Sequence, residues 1–228
     1  FRQLFESASC TYTYIVACAQ TRVAAIIDPV LETAERDAKL IKELKLELAY
    51  GLNTHVHADH VTGTAKLAEM FPKMRAGLSA AAKDAKADVY LSNGEKLAIG
   101  KLSLECRHTP GHTDGCVSFV LPSEAMVFTG DALFHRGCGR TDFQQGDAGR
   151  LYDSVWTQVL SLPDNTIVFP GHDYKGHTAT SVGEEKQFNP RLTLSRDDFI
   201  DLMHNLKLDY PKQIERAVPA NLKNGMMG

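Results

Sequence analysis

From Thr54 to His60 the chain reads Thr-His-Val-His-Ala-Asp-His, with His55, His57, Asp59 and His60 crowded into six consecutive positions. No ordinary helix face accounts for this run. Residues two apart on a helix point to opposite sides, whereas in a strand, or the extended turn leaving one, His55 and His57 share a side. The apolar run Leu48 to Leu52 comes just before, so the cluster is expected at a strand's carboxyl end, where open α/β sheets place their chemistry. Four potential ligands packed this closely would repel or desolvate one another without a cation, and metal binding is the reading that the residue types favour.

The surrounding pattern predicts a mixed α and β fold. Strand-like runs fall at Arg2 to Glu6, Thr11 to Ala17 and Val23 to Ile27, which suggests an antiparallel start. Glu32 to Leu44 carries Ala34, Ala38, Ile41 and Leu44 on one helical face, and a second helix is expected over Val61 to Met70. Short strands follow at Lys96 to Ile99, Leu102 to Arg107, Cys116 to Leu121, Met126 to Thr129 and Thr166 to Phe169, divided by Gly, Pro, Ser and Asn turn signals. Leu151 to Leu160 and Arg196 to Leu206 have helical spacing. No repeat, low-complexity tract or linker marks a boundary, so one domain over 1–228 is expected.

Composition narrows the classes of function. A net charge of -3 with no Lys/Arg block gives nucleic acid no electrostatic foothold, and no apolar run reaches the length of about 20 residues that a membrane helix needs. The five cysteines, Cys10, Cys18, Cys106, Cys116 and Cys138, form neither a C-x-x-C pair nor a disulfide framework, and read as reduced thiols in a reducing compartment. Phe1 is not an initiator methionine, which reads as a processed form or a fragment.

Three more polar residues stand directly after apolar runs or glycine turns: His112 in Thr109-Pro-Gly-His-Thr113, Asp131 in Thr129-Gly-Asp131, and His172 in Phe169-Pro-Gly-His-Asp173. With the first cluster they make seven candidate ligands: His55, His57, Asp59, His60, His112, Asp131 and His172. One catalytic zinc would use three of them; two metals would share a carboxylate. Spacing leaves both readings open. Asp28 and Asp173 read as structural residues, and His108, His135, His177 and His204 as partly exposed histidines without company. Cys138 reads as a small buried thiol. Phe134, Phe143 and Trp156 read as core or pocket wall.

The order His55-x-His57-x-Asp59-His60, His112, Asp131, His172 resembles the signature of the metallo-β-lactamase superfamily. That resemblance implies an α+β fold, an αββα sandwich of two mixed sheets flanked by helices. Three further segments are similar to the persulfide dioxygenase branch, relatives of glyoxalase II: Arg136-Gly-Cys-Gly-Arg-Thr-Asp-Phe-Gln-Gln-Gly146, Pro170-Gly-His-Asp-Tyr174 and Glu184-Glu-Lys-Gln-Phe-Asn-Pro-Arg-Leu192. The ends, Arg2 to Glu6 and Ala217 to Asn221, look like that branch as well. Gly171 stands where several relatives carry Ala, and the smaller residue should be tolerated.

The resemblance implies one Fe(II) per chain on His55, His112 and Asp131, a facial triad leaving positions for substrate and dioxygen. His57, Asp59, His60 and His172 would then orient ligands and water. The implied substrate is glutathione persulfide, oxidised to sulfite and glutathione in sulfide catabolism. Arg140 and Arg191 are candidates for its carboxylates, and Tyr174 for packing or a hydrogen bond. The resemblance also implies a homodimer, and a mitochondrial-matrix enzyme if eukaryotic or a cytoplasmic one if bacterial, not a secreted one. The competing readings are a dinuclear glyoxalase II-type hydrolase of glutathione thioesters and a non-catalytic or nucleic-acid-processing member. The 56 residues after His172 (228 minus 172) are short for the first of these, and the intact ligand set speaks against the second.

Overall fold

Alternating apolar residues on the opening strands build a sheet with both faces buried, as a computed structural model covering residues 1–226 shows. In β2 (Thr11–Ala17), Tyr14 and Val16 face one way and Ile15 the other; in β3 (Val23–Ile27), Ala25 and Ile27 oppose Ala24 and Ile26. Strands buried on both faces read as nearly continuous apolar runs, which explains why these were legible. They join β1 (Arg2–Glu6), β4 (Glu47–Leu52), β5 (Arg75–Ser79) and β6 (Val89–Leu91) in a sheet ordered β1-β2-β3-β4-β5-β6. The first two pairings are antiparallel and the last three parallel.

The second sheet mirrors this count. It runs β12-β11-β10-β9-β8-β7 from β7 (Lys96–Ile99), β8 (Leu102–His108), β9 (Val117–Leu121), β10 (Met126–Gly130), β11 (Ile167–Pro170) and β12 (Thr180–Ser181), with only β10 and β11 parallel. Tyr14, Ile27 and Leu52 from the first sheet meet Phe119, Phe128 and Phe169 from the second in the central core. Each such side chain contributes about 1.5–3 kcal/mol on burial, so this shared layer fixes how the sheets face one another. α1 (Ala34–Glu43) and α2 (Thr64–Met70) cover the first sheet through Ala38, Ile41 and Leu67. α3 (Ala148–Ser154), α4 (Val182–Phe188) and α5 (Arg196–His204) cover the second through Leu151, Val182 and Phe199. The result is the expected αββα sandwich; of the expected span 1–228, residues 227 and 228 lie outside the described part.

Several boundaries differ from expectation for local reasons. Leu31–Thr33 form a 3-10 turn before α1. The helix expected from Val61 starts at Thr64 because Thr62 is pinned first: its hydroxyl donates to the Asn53 side-chain oxygen at 2.8 Å and its N–H to the Asn221 side chain at 2.8 Å. The helix expected over Leu151 to Leu160 begins earlier, capped by Asp147 accepting the Arg150 N–H, and widens into a π turn at Val155–Val159. β5, β6, β12 and α4 were not anticipated. Neither was α6 (Ile214–Asn221), which holds Pro219 within it.

Candidate metal centre and active site

Five strands end along one edge of the sandwich and aim the sequence motifs at a common point. β3 leads to Asp28, β4 to the His55–His60 loop, β8 to His112, β10 to Asp131 and β11 to His172. Backbone hydrogen bonds stitch these ends together, including Val117 N–H to Thr54 O, Gly171 N–H to Gly130 O and Tyr12 N–H to Gly171 O, each 2.8 Å. All seven candidate ligands are therefore neighbours in space, although they span residues 55 to 172.

Two groups can be separated. Ligand atoms of His55, His112 and Asp131 all lie within 4.8 Å of one another, and so do those of His57, Asp59 and His60. In the first group, His55 Nε2 is 4.0 Å and His112 Nε2 3.5 Å from Asp131 Oδ2. The tautomers follow from their partners. His112 Nδ1 donates to the Arg140 carbonyl at 2.7 Å, since a carbonyl can only accept. The Thr54 hydroxyl donates to Asp28 at 2.8 Å and hence accepts from His55 Nδ1–H at 3.0 Å. Both imidazoles present an Nε2 lone pair toward the Asp131 carboxylate. Burial holds His55 well below the ordinary histidine pKa, with the neighbouring His57 and His112 adding to the effect.

His55 Nε2 and Asp131 Oδ1 are buried without a hydrogen-bond partner, as are His57 Nδ1 and His60 Nε2. Buried polar atoms left unpaired need a reason, and a cation among them supplies one. Two neutral imidazole nitrogens and one carboxylate on one side suit a non-heme iron(II) site as well as zinc. The donor set fits the implied metal.

His57 and His60 are each engaged through one ring nitrogen. His57 Nε2 donates to Asp28 at 3.1 Å, and although burial opposes it, that carboxylate raises the His57 pKa. His60 Nδ1 lies 2.9 Å from Asp59, and His172 Nε2 is 3.5 Å from both Asp59 and Asp131. Burial pushes Asp59 up, but His60 and His172 outweigh it and hold its carboxyl well below the usual range. At His172 burial is likewise outweighed, and Asp131 and Asp59 raise the pKa.

Sequence reading missed two residues of this machinery. Asp28 was read as structural, yet its carboxylate accepts the Thr54 N–H at 2.7 Å besides the contacts to the Thr54 hydroxyl and His57. Asn221, at the far end of the chain, donates to the carbonyls of His57 and His60 at 2.8 Å each. The family-like Ala217 to Asn221 run was the only signal for it. His135 and His177, read as lacking company, instead stack on each other with ring centroids 4.0 Å apart.

A cavity of about 790 Å³ opens over the site, and His112, Asp131 and His172 line it together with Arg140, Tyr174 and Arg191. Tyr174 is 70% exposed and lies parallel to the His172 ring at 6.0 Å. Arg140 forms a two-pronged pair with Asp142 at 2.6 and 2.7 Å and also donates to the Asp209 carbonyl. Arg191 donates to the Cys138 carbonyl at 3.1 Å. Phe143 lies under the Arg140 guanidinium and Phe134 beside His172, both as cavity wall, whereas Trp156 packs against the α3–α5 core. Gly171 is a close approach: a Cβ there would lie 2.6 Å from Asp131 Oδ1. The glycine leaves that carboxylate its room.

The sequence profile of the Metallo-beta-lactamase superfamily matches residues 9–172. The Mus musculus protein named "Persulfide dioxygenase ETHE1, mitochondrial" is 53% identical over 225 residues, covering 99% of this chain and 88% of that one. The crystal structure of ETHE1 from Myxococcus xanthus matches with a TM-score of 0.95 at 48% identity over 99% of both chains. Hydroxyacylglutathione hydrolase GloC of Haemophilus influenzae is 36% identical over 189 residues, 74% of this chain and 87% of its own length.

Proposed function

Since the chain belongs to the metallo-β-lactamase superfamily and, within it, to the persulfide dioxygenases, we propose that it oxidises glutathione persulfide at a single non-heme iron held by His55, His112 and Asp131. The products are sulfite and glutathione, with dioxygen and water consumed. The observation that carries this reading is the convergence of two imidazole Nε2 lone pairs and an unpaired carboxylate oxygen at the floor of a cavity of about 790 Å³. Iron bound there would supply the redox chemistry that joins dioxygen to the persulfide sulfur, which zinc with its filled d shell does not.

The protein's own part is positioning. Asp28, through Thr54, keeps His55 in the ligating tautomer, and the Arg140 carbonyl does the same for His112. Paired reactants held at adjacent sites gain the advantage of a reaction within one complex. The two substrate carboxylates call for cationic donors, and Arg140 and Arg191 on the cavity wall offer them. Arg140 would exchange Asp142 for the ligand, Arg191 has guanidinium donors beyond its Cys138 bond, and the exposed Tyr174 ring packs against the peptide. His172 Nε2, 3.5 Å from both Asp59 and Asp131, orients the two carboxylates beside the site.

We read residues 1–228 as one domain, supported by the core common to both sheets, and the assembly as a homodimer, checked by sedimentation. For a eukaryotic source we propose the mitochondrial matrix, a reading the word mitochondrial in the mouse relative's name supports, and for a bacterial source the cytoplasm; no helix among the described residues is long and apolar enough to cross a membrane. A dinuclear thioester hydrolase is the second reading, favoured by the compact His57, Asp59 and His60 group. One experiment separates them: anaerobic Fe(II) reconstitution with metal counting, then oxygen-electrode assay with glutathione persulfide. One iron per chain, oxygen uptake by the parent and none by His55→Ala are expected. Two metals with thioester hydrolysis and no oxygen uptake would sink the proposal.

A further inference from the structure

His135 and His177 belong to neither ligand group described above, yet the fold stacks them at the rim of the cavity. His135 follows β10 and His177 follows β11, and their rings lie 4.0 Å apart at 15°. Asp173 completes a cluster whose ligand atoms all lie within 4.8 Å of one another. Its Oδ1 is 3.3 Å from His177 Nδ1, and its Oδ2 accepts the backbone N–H groups of Lys175 and His177 at 2.8 and 2.6 Å, which fixes the carboxylate. All three residues line the cavity.

We propose that His135, Asp173 and His177 form a second, peripheral metal site at the cavity rim, taking a borderline divalent ion of the zinc class. Two imidazoles and one carboxylate with an open fourth position match a three-ligand zinc site, and imidazole suits zinc, copper and nickel better than magnesium or calcium. Glu184 and Glu185 also lie near His135, but they make a poorer host. Arg136 already donates to Glu185 at 2.7 Å and to Glu184 at 2.5 Å, and its fixed positive charge would repel an incoming cation. Among the described residues no Lys or Arg side chain pairs with Asp173, and its ion-pair neighbour is His177.

A tetrahedral ion with bonds of 2.0–2.2 Å needs donor atoms about 3.4 Å apart; the Asp173–His177 pair already stands at 3.3 Å, so the distances to His135 need to close by at most about 1.4 Å. His177 can provide this movement, because its side chain is 42% exposed and an imidazole turns broadly about its Cβ–Cγ bond. The same turn takes the two rings out of parallel and lets both in-plane lone pairs reach one ion. Once occupied, the site ties the segment after β10 to the segment after β11 across the rim.

The test is equilibrium dialysis of the iron-loaded protein against micromolar Zn2+, with both metals counted in each sample. The parent is expected to hold one zinc per chain beyond its iron, with the iron retained. His177→Ala and His135→Leu should each lose that zinc while keeping iron and the parental circular dichroism. The readout is the difference in zinc between parent and variants, so it stands whatever metal fills the deeper site. Equal zinc in parent and His177→Ala, or zinc that only replaces iron, overturns the proposal. Should His135→Leu fail to fold, the exposed His177 variant decides alone.

Discussion

One carboxylate, Asp28, holds the Thr54 N–H, the Thr54 hydroxyl and His57, and through Thr54 it sets the tautomer of His55. Groups that orient metal ligands typically govern 10–100-fold in affinity. Asp28→Asn should therefore weaken metal binding by about 10–100-fold with His55, His112 and Asp131 still present, as read by anaerobic titration with Fe(II); unchanged affinity would show that Thr54 alone suffices. The thiols differ just as sharply. Hydrogen bonds from the Thr21 hydroxyl and the Lys101 and Thr21 backbone bring Cys18 down to about 6, whereas burial pushes Cys106 and Cys116 up to about 12. Cys18, though only 4% exposed, lines a smaller cleft of about 340 Å³. Its thiolate fraction grows about tenfold per pH unit below its pKa and levels off above it. Alkylation mapped by mass spectrometry should accordingly rise up to about pH 6 and then plateau at Cys18, leaving Cys106 and Cys116 unlabelled at pH 8. A Cys18 rate still climbing between pH 7 and 9 contradicts this.

At the scale of elements, the loop from β8 to His112 is seated directly on α3. Gly111 has φ +135°, and a Cβ there would lie 2.3 Å from the Leu151 backbone. Both the backbone conformation and the contact penalise a side chain, so Gly111→Ala should cost about 3 kcal/mol. The denaturation midpoint measures it, and a midpoint within error of the parent would mean the loop can lift off α3. Elements with a clear period were legible: β2 and β3 alternate between two buried faces, and α1 carries Ala34, Ala38 and Ile41 on one side. β5 and β6 were not, because Arg75–Ser79 includes Gly77 and Val89–Leu91 is only three residues long, so parallel pairing of β5 with β4 and of β6 with β5 decides their conformation. In the site, residue type and order revealed the seven ligand candidates. They could not reveal Asp28 or Asn221, whose roles depend on partners 26 and more residues away.

For the whole molecule, the cluster of buried nitrogens and carboxylates couples metal to stability. A ligand present at about 1,000 times its Kd stabilises the native state by about 4 kcal/mol. For a chain of this size each kcal/mol moves Tm by about 2–4 °C, so stripping the metal should lower Tm by about 8–16 °C. Calorimetry of metal-free and reloaded protein checks this, and identical Tm values would place the metal elsewhere. The Asn221 clamp carries a different implication. Chains are made from the amino end and their parts fold as they emerge, yet the His57 and His60 carbonyls wait for a donor at position 221. Metal loading thereby waits for the segment that carries position 221: a chain stopped at residue 213 contains His55, His112 and Asp131 but should retain less metal through gel filtration than a chain of residues 1–228.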